Sequence, residues 1–202
     1  MIDPKTVEIV YDVDDVLWPY VVALAKAGGI ALEEWKDYYA SNNSWPAKTL
    51  ELVNQALLDE GIFQNIEFFP GVSDILRPEK ELGVKVKINS NCLTQKIANL
   101  KYIQLKTAIP GLKDEAMTFN FNTLNVVCDK KLSPNTFIFV DDNPYHLIKS
   151  TAAVNIMPKW PWNTSNKARE LLAQTNYIQL DSLSEINQFI FDRVKQYLET
   201  GE

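Results

Sequence analysis

The chain has one histidine, His146, and two cysteines, Cys92 and Cys128. These scarcities remove whole classes of chemistry. A His-rich zinc site needs more than one imidazole, and two cysteines form neither a zinc-type spacing nor a disulfide framework. A Ser-His-Asp triad would have to use His146, and no G-x-S-x-G elbow accompanies it. Basic residues are outnumbered, 20 Lys and Arg against 26 Asp and Glu, for a net charge of −6. With no Lys/Arg-rich tract, the basic footprint of an extended nucleic-acid surface is missing. A small anionic ligand is still allowed, because one lysine and a metal neutralise one phosphate locally. No apolar run reaches the roughly 20 residues of a membrane helix. The opening MIDPKTVEIV lacks the basic start and apolar core of a signal peptide, so the expected setting is cytoplasmic and reducing.

What remains is an ordinary globular composition, 46% apolar and 23% charged, in 202 residues. That length suits one domain, or one domain with a small insert. TVEIVYD (6–12) reads as a buried strand, short and β-branched. Between 18 and 69 the pattern turns helical, in YVVALAKAGG and AKTLELVNQALLDEG, with Trp18, Tyr20, Trp35, Tyr38, Tyr39, Trp45, Phe63, Phe68 and Phe69 spread through it. The segment is expected to be a helical insert, with 1–17 and 70–202 forming the main domain. From Pro70, helices and strands alternate. GVSDILRPEKELG is a short helix that Pro78 would interrupt, VKVKIN (84–89) a strand, and LTQKIANLKYIQL (93–105) an amphipathic helix. AMTFNF and LNVVCD are candidate strands, and TFIFVD (136–141) is a clear one. NPYHLIKSTA is a short helix, AVNIM and NYIQL are strands, and SEINQFIFDRVKQYL closes the chain with Ile186, Phe189, Ile190, Val194 and Tyr197 on one side. Such alternation implies an α/β fold, a mostly parallel sheet flanked by helices.

Ligands in such sheets bind beyond the carboxyl ends of the strands. The first strand ends in Asp12-Val13-Asp14-Asp15, and VKVKIN ends in Ser90-Asn91 or, one residue earlier, in Asn89. Lys130 and Lys131 precede TFIFVD, which ends in Asp141-Asp142. Carboxylates gathered this closely raise one another's pKa unless a cation lies between them. Oxygen ligands without His or Cys favour Mg²⁺, which leaves room for waters and a substrate phosphate. Asp12 and Asp14 are two apart, so in extended backbone they project to the same side. One could attack phosphorus while the other moves a proton at the leaving oxygen.

VYDVDDVL, then Ser90, a lysine and FVDDNP, in that order, resembles the haloacid dehalogenase-like (HAD) hydrolase superfamily. The resemblance runs from residue 7 to 142 in its motifs and over nearly the whole chain in its sheet pattern. A nearer likeness is to the 5′(3′)-deoxyribonucleotidase branch. There a helical cap follows the first motif, a lysine precedes the acidic pair by about ten residues, and a Pro-aromatic-Asn segment comes after, as Pro161-Trp162-Asn163 does here. The resemblance implies a HAD-like Rossmannoid core with a small helical cap. It also implies a Mg²⁺-dependent phosphomonoester hydrolase acting through an aspartyl-phosphate, with nucleoside or deoxynucleoside monophosphates as substrates. Asp12 would be the nucleophile and Asp14 the general acid and base. Ser90, Asn91 and Lys131 (or Lys130) would bind phosphate. Asp12, Asp14, Asp141 and Asp142 would form the metal site. Where the family usually has Gly, this chain has Asp15, and its role is left open. Trp18 and Tyr20, just past the first motif, are candidates for substrate contact. Alternatives are another small phosphate ester or a nucleic-acid end, and a non-catalytic phosphate- and Mg²⁺-binding module. Cys92 lacks an evident base, and His146 reads as a helix-surface or capping residue.

Overall fold

The computed structural model describes residues 2–121, 129–173 and 175–201. LNVVCD and Cys128 fall almost wholly outside them. In chain order come β1 (Glu8–Tyr11), α1 (Tyr20–Gly28), α2 (Ala47–Leu58), α3 (Glu60–Gln64), α4 (Arg77–Leu82), β2 (Lys85–Cys92) and α5 (Gln95–Ala108). They are followed by β3 (Met117–Phe121), β4 (Thr136–Val140), α6 (Pro144–Leu147), β5 (Val154–Pro158), α7 (Asn166–Leu172), β6 (Ile178–Leu180) and α8 (Leu183–Thr200). The strands form one six-stranded sheet in the order β3-β2-β1-β4-β5-β6, and every pairing is parallel. The expected α/β architecture is the one observed.

Every residue of β1 and β4 is buried, as strands covered on both faces must be. Alternation divides their side chains. Val10, Phe139 and Met157 pack with Leu147 and Leu172 on the side of α6 and α7. Ile9, Tyr11, Ile138, Val140 and Ile156 join the larger cluster, which includes Leu183, Ile186, Ile190 and Val194 of α8. Burying each such aliphatic side chain is worth roughly 1.5–3 kcal/mol, so this stripe, rather than helix propensity, holds α8 in place.

Pro78 does mark a break: a 3-10 turn over Val72–Leu76 gives way to α4, with Pro78 in its first turn, where a missing N–H costs nothing. Other local expectations change. The helix α7 was not anticipated; its apolar positions are few, but Ser165 caps it by accepting from Ala168 N. Strand β2 runs past Asn89 to Cys92, because β3 pairs with it from Ile88 to Cys92 beyond the point where β1 ends. Ser90 and Asn91 therefore lie within a strand. The segment expected to be a helical insert carries α1, α2 and α3, and near its ends the Phe69 N–H donates to the Leu17 carbonyl at 2.8 Å. Among the described residues, no helix is long and apolar enough to cross a membrane.

Candidate active site

The strand order reverses direction between β1 and β4, and their carboxyl ends flank the crevice such a reversal opens. Register places the acidic groups there. Tyr11 pairs with Val140, so Asp12 and Asp141 follow side by side, with Asp12 N donating to Val140 O at 2.9 Å. Oxygens of Asp12, Asp141 and Asp142 lie within 4.8 Å of one another, all three residues being buried.

Lys130 is the lysine that enters. Its side chain is 1% exposed, with Nζ 2.7 Å from Asp12 Oδ1 and 2.6 Å from Asp141 Oδ2. Lys131 is exposed, and its backbone carbonyl accepts from Asn89 Nδ2. The alternation of β2 sorts its polar residues in the same way. Asn89 and Asn91, two apart, both accept from Asn120 Nδ2, at 2.6 and 3.1 Å. Ser90 points the other way, to Lys101 Nζ at 3.0 Å.

Asp14 is held at both oxygens. Trp18 Nε1 donates to Oδ1 at 2.7 Å, and Lys101 Nζ to Oδ2 at 2.6 Å. Asp15 makes the turn itself, at φ 57°, a left-handed conformation that side chains other than Gly, Asn and Asp seldom adopt. Its Oδ1 accepts from Val21 N at 2.9 Å, capping the first turn of α1.

Other groups orient the second acidic pair. His146 is buried, not on a helix surface: its Nδ1 lies 3.0 Å from Asp141 Oδ2. Its Nε2 faces the Asn91 and Asn143 amide nitrogens at 3.4 Å each. Asn143 N donates to Asp141 Oδ1 at 2.9 Å. Trp162 Nε1 donates to Asp142 Oδ2 at 2.9 Å, and Asn163 Nδ2 to the Asp142 carbonyl at 3.2 Å. Trp160 stacks on Trp162 and donates to the Asp15 carbonyl at 2.7 Å. The Pro161-Trp162-Asn163 segment is thus a brace for the acidic loops.

Trp18 has no exposed surface, and Tyr20 is 9% exposed and stacked on Phe63. Both sit within the apolar packing at the site's edge, and Trp18 directs its N–H at Asp14 rather than at open space. Burial, then the charges of Asp142, Asp12, Asp141 and Asp14, push the Tyr38 phenol up. Asp37 beside it pairs with Lys167 of α7, tying insert to core. Cys92 is buried and its thiol is pushed up to about 11, chiefly by burial, which leaves no thiolate for nucleophilic work.

Sequence reading missed Lys101 and His146 as a partner of Asp141, and it singled out Trp162 only within the Pro161-Trp162-Asn163 segment. Lys101 had a signal: it stands four residues from both Ile97 and Leu105, on the buried stripe of α5. A lysine on an apolar stripe needs a partner inside.

Five carboxylates, Asp12, Asp14, Asp15, Asp141 and Asp142, share the site with two ammonium groups. Burial, with Asp141 and Asp14 adding to it and Lys130 opposing it, raises Asp12 to about 6. Burial also pushes Asp141 up, but His146 and Lys130 outweigh it and hold that carboxyl at about 2. Asp142 is raised well above its ordinary value by burial and by Asp15, Asp141 and Asp12. Asp142 Oδ1 is buried with no hydrogen-bond partner. An orphaned buried carboxylate oxygen, an excess of negative charge and an all-oxygen donor set fit a hard divalent cation such as Mg²⁺. Asp12 and Asp142 offer the open donors, whereas both Asp141 oxygens already accept from protein.

The sign of the pH effect follows. Asp12 has a folded value above its unfolded one, so its ionisation penalises the metal-free fold above pH ~6 and is relieved as pH falls toward the unfolded value. Asp141 has the opposite sign, but its contribution is lost only as pH falls toward 2. In EDTA, therefore, the protein should melt higher at pH 5.5 than at 7.5, and added Mg²⁺ should raise the melting temperature more at 7.5. At 100 times its Kd, Mg²⁺ adds about 2.7 kcal/mol, roughly 5–10 °C at this size. Calorimetry showing an equal or absent Mg²⁺ shift at 7.5 would remove the cation from the cluster.

No family model matches the chain, and no curated protein does. Solved structures do match. A phosphonoacetaldehyde hydrolase-like protein from Oleispira antarctica superposes with a TM-score of 0.53 at 13% identity, over 99% of this chain and 96% of that one. A HAD family hydrolase from Deinococcus radiodurans, with bound phosphate and sodium, gives 0.52 at 14%, over 94% and 96%. A predicted phosphatase from Clostridium acetobutylicum gives 0.55 at 13%, over 93% and 99%. The chain has the α/β fold of HAD-like hydrolases.

Proposed function

We propose that the protein is a Mg²⁺-dependent phosphomonoester hydrolase. The observation that carries this reading is the buried Lys130 ammonium bridging Asp12 and Asp141, beside Asp142 with its unpartnered oxygen. Such a site neutralises charge on one edge of a sheet, which is most of what phosphoryl transfer asks of a protein.

Asp12 attacks phosphorus through a carboxylate oxygen. The P–O ester bond breaks, its electron pair goes to the leaving oxygen, and that oxygen takes a proton from Asp14. Asp14, now a carboxylate, takes a proton from water as the water oxygen attacks the aspartyl-phosphate. Phosphate leaves and Asp12 is restored. Ser90 and Lys130 hold phosphoryl oxygens, with Asn91 continuing the strand beside them. Asp12 and Asp142 would hold Mg²⁺, with Asp141 and Asp14 completing the acidic surround. The ion, when bound, supplies positive charge between the carboxylates and the phosphoryl group.

The 18–69 insert serves as the cap that selects substrate, and Tyr38 and Tyr39 present phenols toward the acidic loops. Nucleoside monophosphates are the substrate class to test first, on the sequence likeness to deoxyribonucleotidases. The experiment is phosphate release with Mg²⁺ from nucleoside 5′- and 3′-monophosphates, sugar phosphates and a 5′-phosphorylated oligonucleotide. Turnover of one class names the substrate. A folded protein that releases nothing from any of them sinks the hydrolase reading and favours a binding module.

A further inference from the structure

Lys101 is not one of the residues the hydrolase reading needs, yet it is among the most buried side chains in the molecule, 1% exposed. It occupies the α5 stripe with Ile97, Ala98 and Leu105, where an aliphatic residue would pack without desolvating a charge. Burying an ammonium costs several kcal/mol unless its hydrogen bonds are met. Lys101 Nζ meets three acceptors: Asp14 Oδ2 at 2.6 Å, Ser90 Oγ at 3.0 Å and the Asn91 carbonyl at 3.0 Å.

Its partner across Asp14 is Trp18, donating to Oδ1 at 2.7 Å. One donor on each oxygen fixes the carboxylate in both position and plane. Each arm rests on the same residue of the insert. The Trp18 ring lies 6.2 Å from that of Phe63, and Lys101 Nζ lies 5.9 Å above it. Gln104 Nε2, one turn along α5, donates to the Phe63 carbonyl. The clamp is therefore built between the main domain and the helix α3 of the insert.

We propose that Lys101 and Trp18 are positioning residues that hold Asp14 in line for proton transfer at the ester oxygen, seated on Phe63 so that the placement of the insert sets that alignment. The proposal rests on the hydrolase reading, since it assigns no chemistry of its own to Lys101. When the clamp is broken, Asp12 still attacks, but the leaving oxygen departs without its proton, and the later hydrolysis of the aspartyl-phosphate slows for any ester. In the first step the loss depends on how much the leaving group needs that proton.

The test compares two esters with Mg²⁺: 4-nitrophenyl phosphate, whose phenolate leaves unprotonated, and a nucleoside 5′-monophosphate, whose alkoxide does not. Trp18→Phe keeps the ring and removes the N–H. In single turnover with enzyme in excess, where leaving-group release reports the first step alone, it should slow nucleoside release by roughly 30- to 100-fold, up to the low end of what general acid catalysis supplies, and 4-nitrophenolate release by less than about threefold. Lys101→Met should show the same bias toward the nucleotide, superposed on a smaller loss shared by both esters through Ser90. Lys101→Arg should recover part of the nucleotide rate. Circular dichroism reports whether each variant is folded, and if Lys101→Met is not, Trp18→Phe alone decides. Equal losses on both esters in that first step, or no loss, overturn the clamp while leaving the hydrolase intact. A folded wild type that turns over neither ester overturns the hydrolase reading and this proposal together.

Discussion

Asp12→Asn should reduce phosphate release by ~10³-fold or more while leaving the protein folded. An amide oxygen is a poor nucleophile, and no other side chain stands where Asp12 stands, adjacent to Asp141 through the Tyr11–Val140 register. The substitution is nearly isosteric, so packing is retained. It also removes a buried carboxylate whose pKa is raised to about 6, so without metal the variant should melt no lower than the parent at pH 7.5. The Mg²⁺-induced rise in melting temperature should shrink sharply, because one of the two open donors has lost its charge. Phosphate release and thermal denaturation, each with EDTA and with Mg²⁺, measure all three effects. Residual turnover above about a tenth would take the nucleophile's role away from Asp12.

Lys130→Met should be the most destabilising single change at the site. The ammonium is the counter-charge for two buried carboxylates at 2.7 and 2.6 Å, and removing it leaves them facing each other. Breaking one side of a buried ion pair costs about 3–5 kcal/mol, which at this chain length lowers the melting temperature by roughly 10 °C. Mg²⁺ should recover part of that loss, since it brings positive charge to the same oxygens. Lys131→Met, one residue on, should change stability by no more than ~0.5 kcal/mol and leave turnover unaltered, because that side chain is exposed. If the two variants melt alike, the inward assignment of Lys130 is wrong. Neighbouring lysines that a sequence cannot distinguish would thus be separated by one melting experiment.

Much of the fold was readable because its signals are local. TVEIVYD and TFIFVD are continuous apolar runs ended by carboxylates, and a run buried on both faces looks like that whatever surrounds it. The closing helix α8 carries its apolar stripe in its own spacing. The order of the acidic, hydroxyl, lysine and acidic motifs is also one-dimensional information, and it led to the HAD-like fold. Less legible were elements whose ends depend on a neighbour. Strand β2 extends to Cys92 only because β3 lies alongside, and α7, with its weak stripe, is announced by little beyond the Ser165 cap.

The sequence by itself determined that carboxylates would gather on the carboxyl edge of a parallel sheet. One histidine and two cysteines exclude most other catalysts, and acidic residues terminate the two clearest strands. Only the tertiary structure decided which lysine enters, that Ser90 and not Asn89 turns toward Lys101, that Asp15 makes a left-handed turn and caps α1, and that His146, Trp162 and Asn163 brace the second acidic pair. The physical reason is distance along the chain. Lys101 and Asp14 are 87 residues apart, and Trp160 and Asp15 are 145 apart. Such partners are chosen by strand register and helix placement, which no local pattern encodes. DVDDVLWPY carries three acids, but their separate environments are made by residues such as Lys101, Lys130 and Trp160 that arrive from distant parts of the chain.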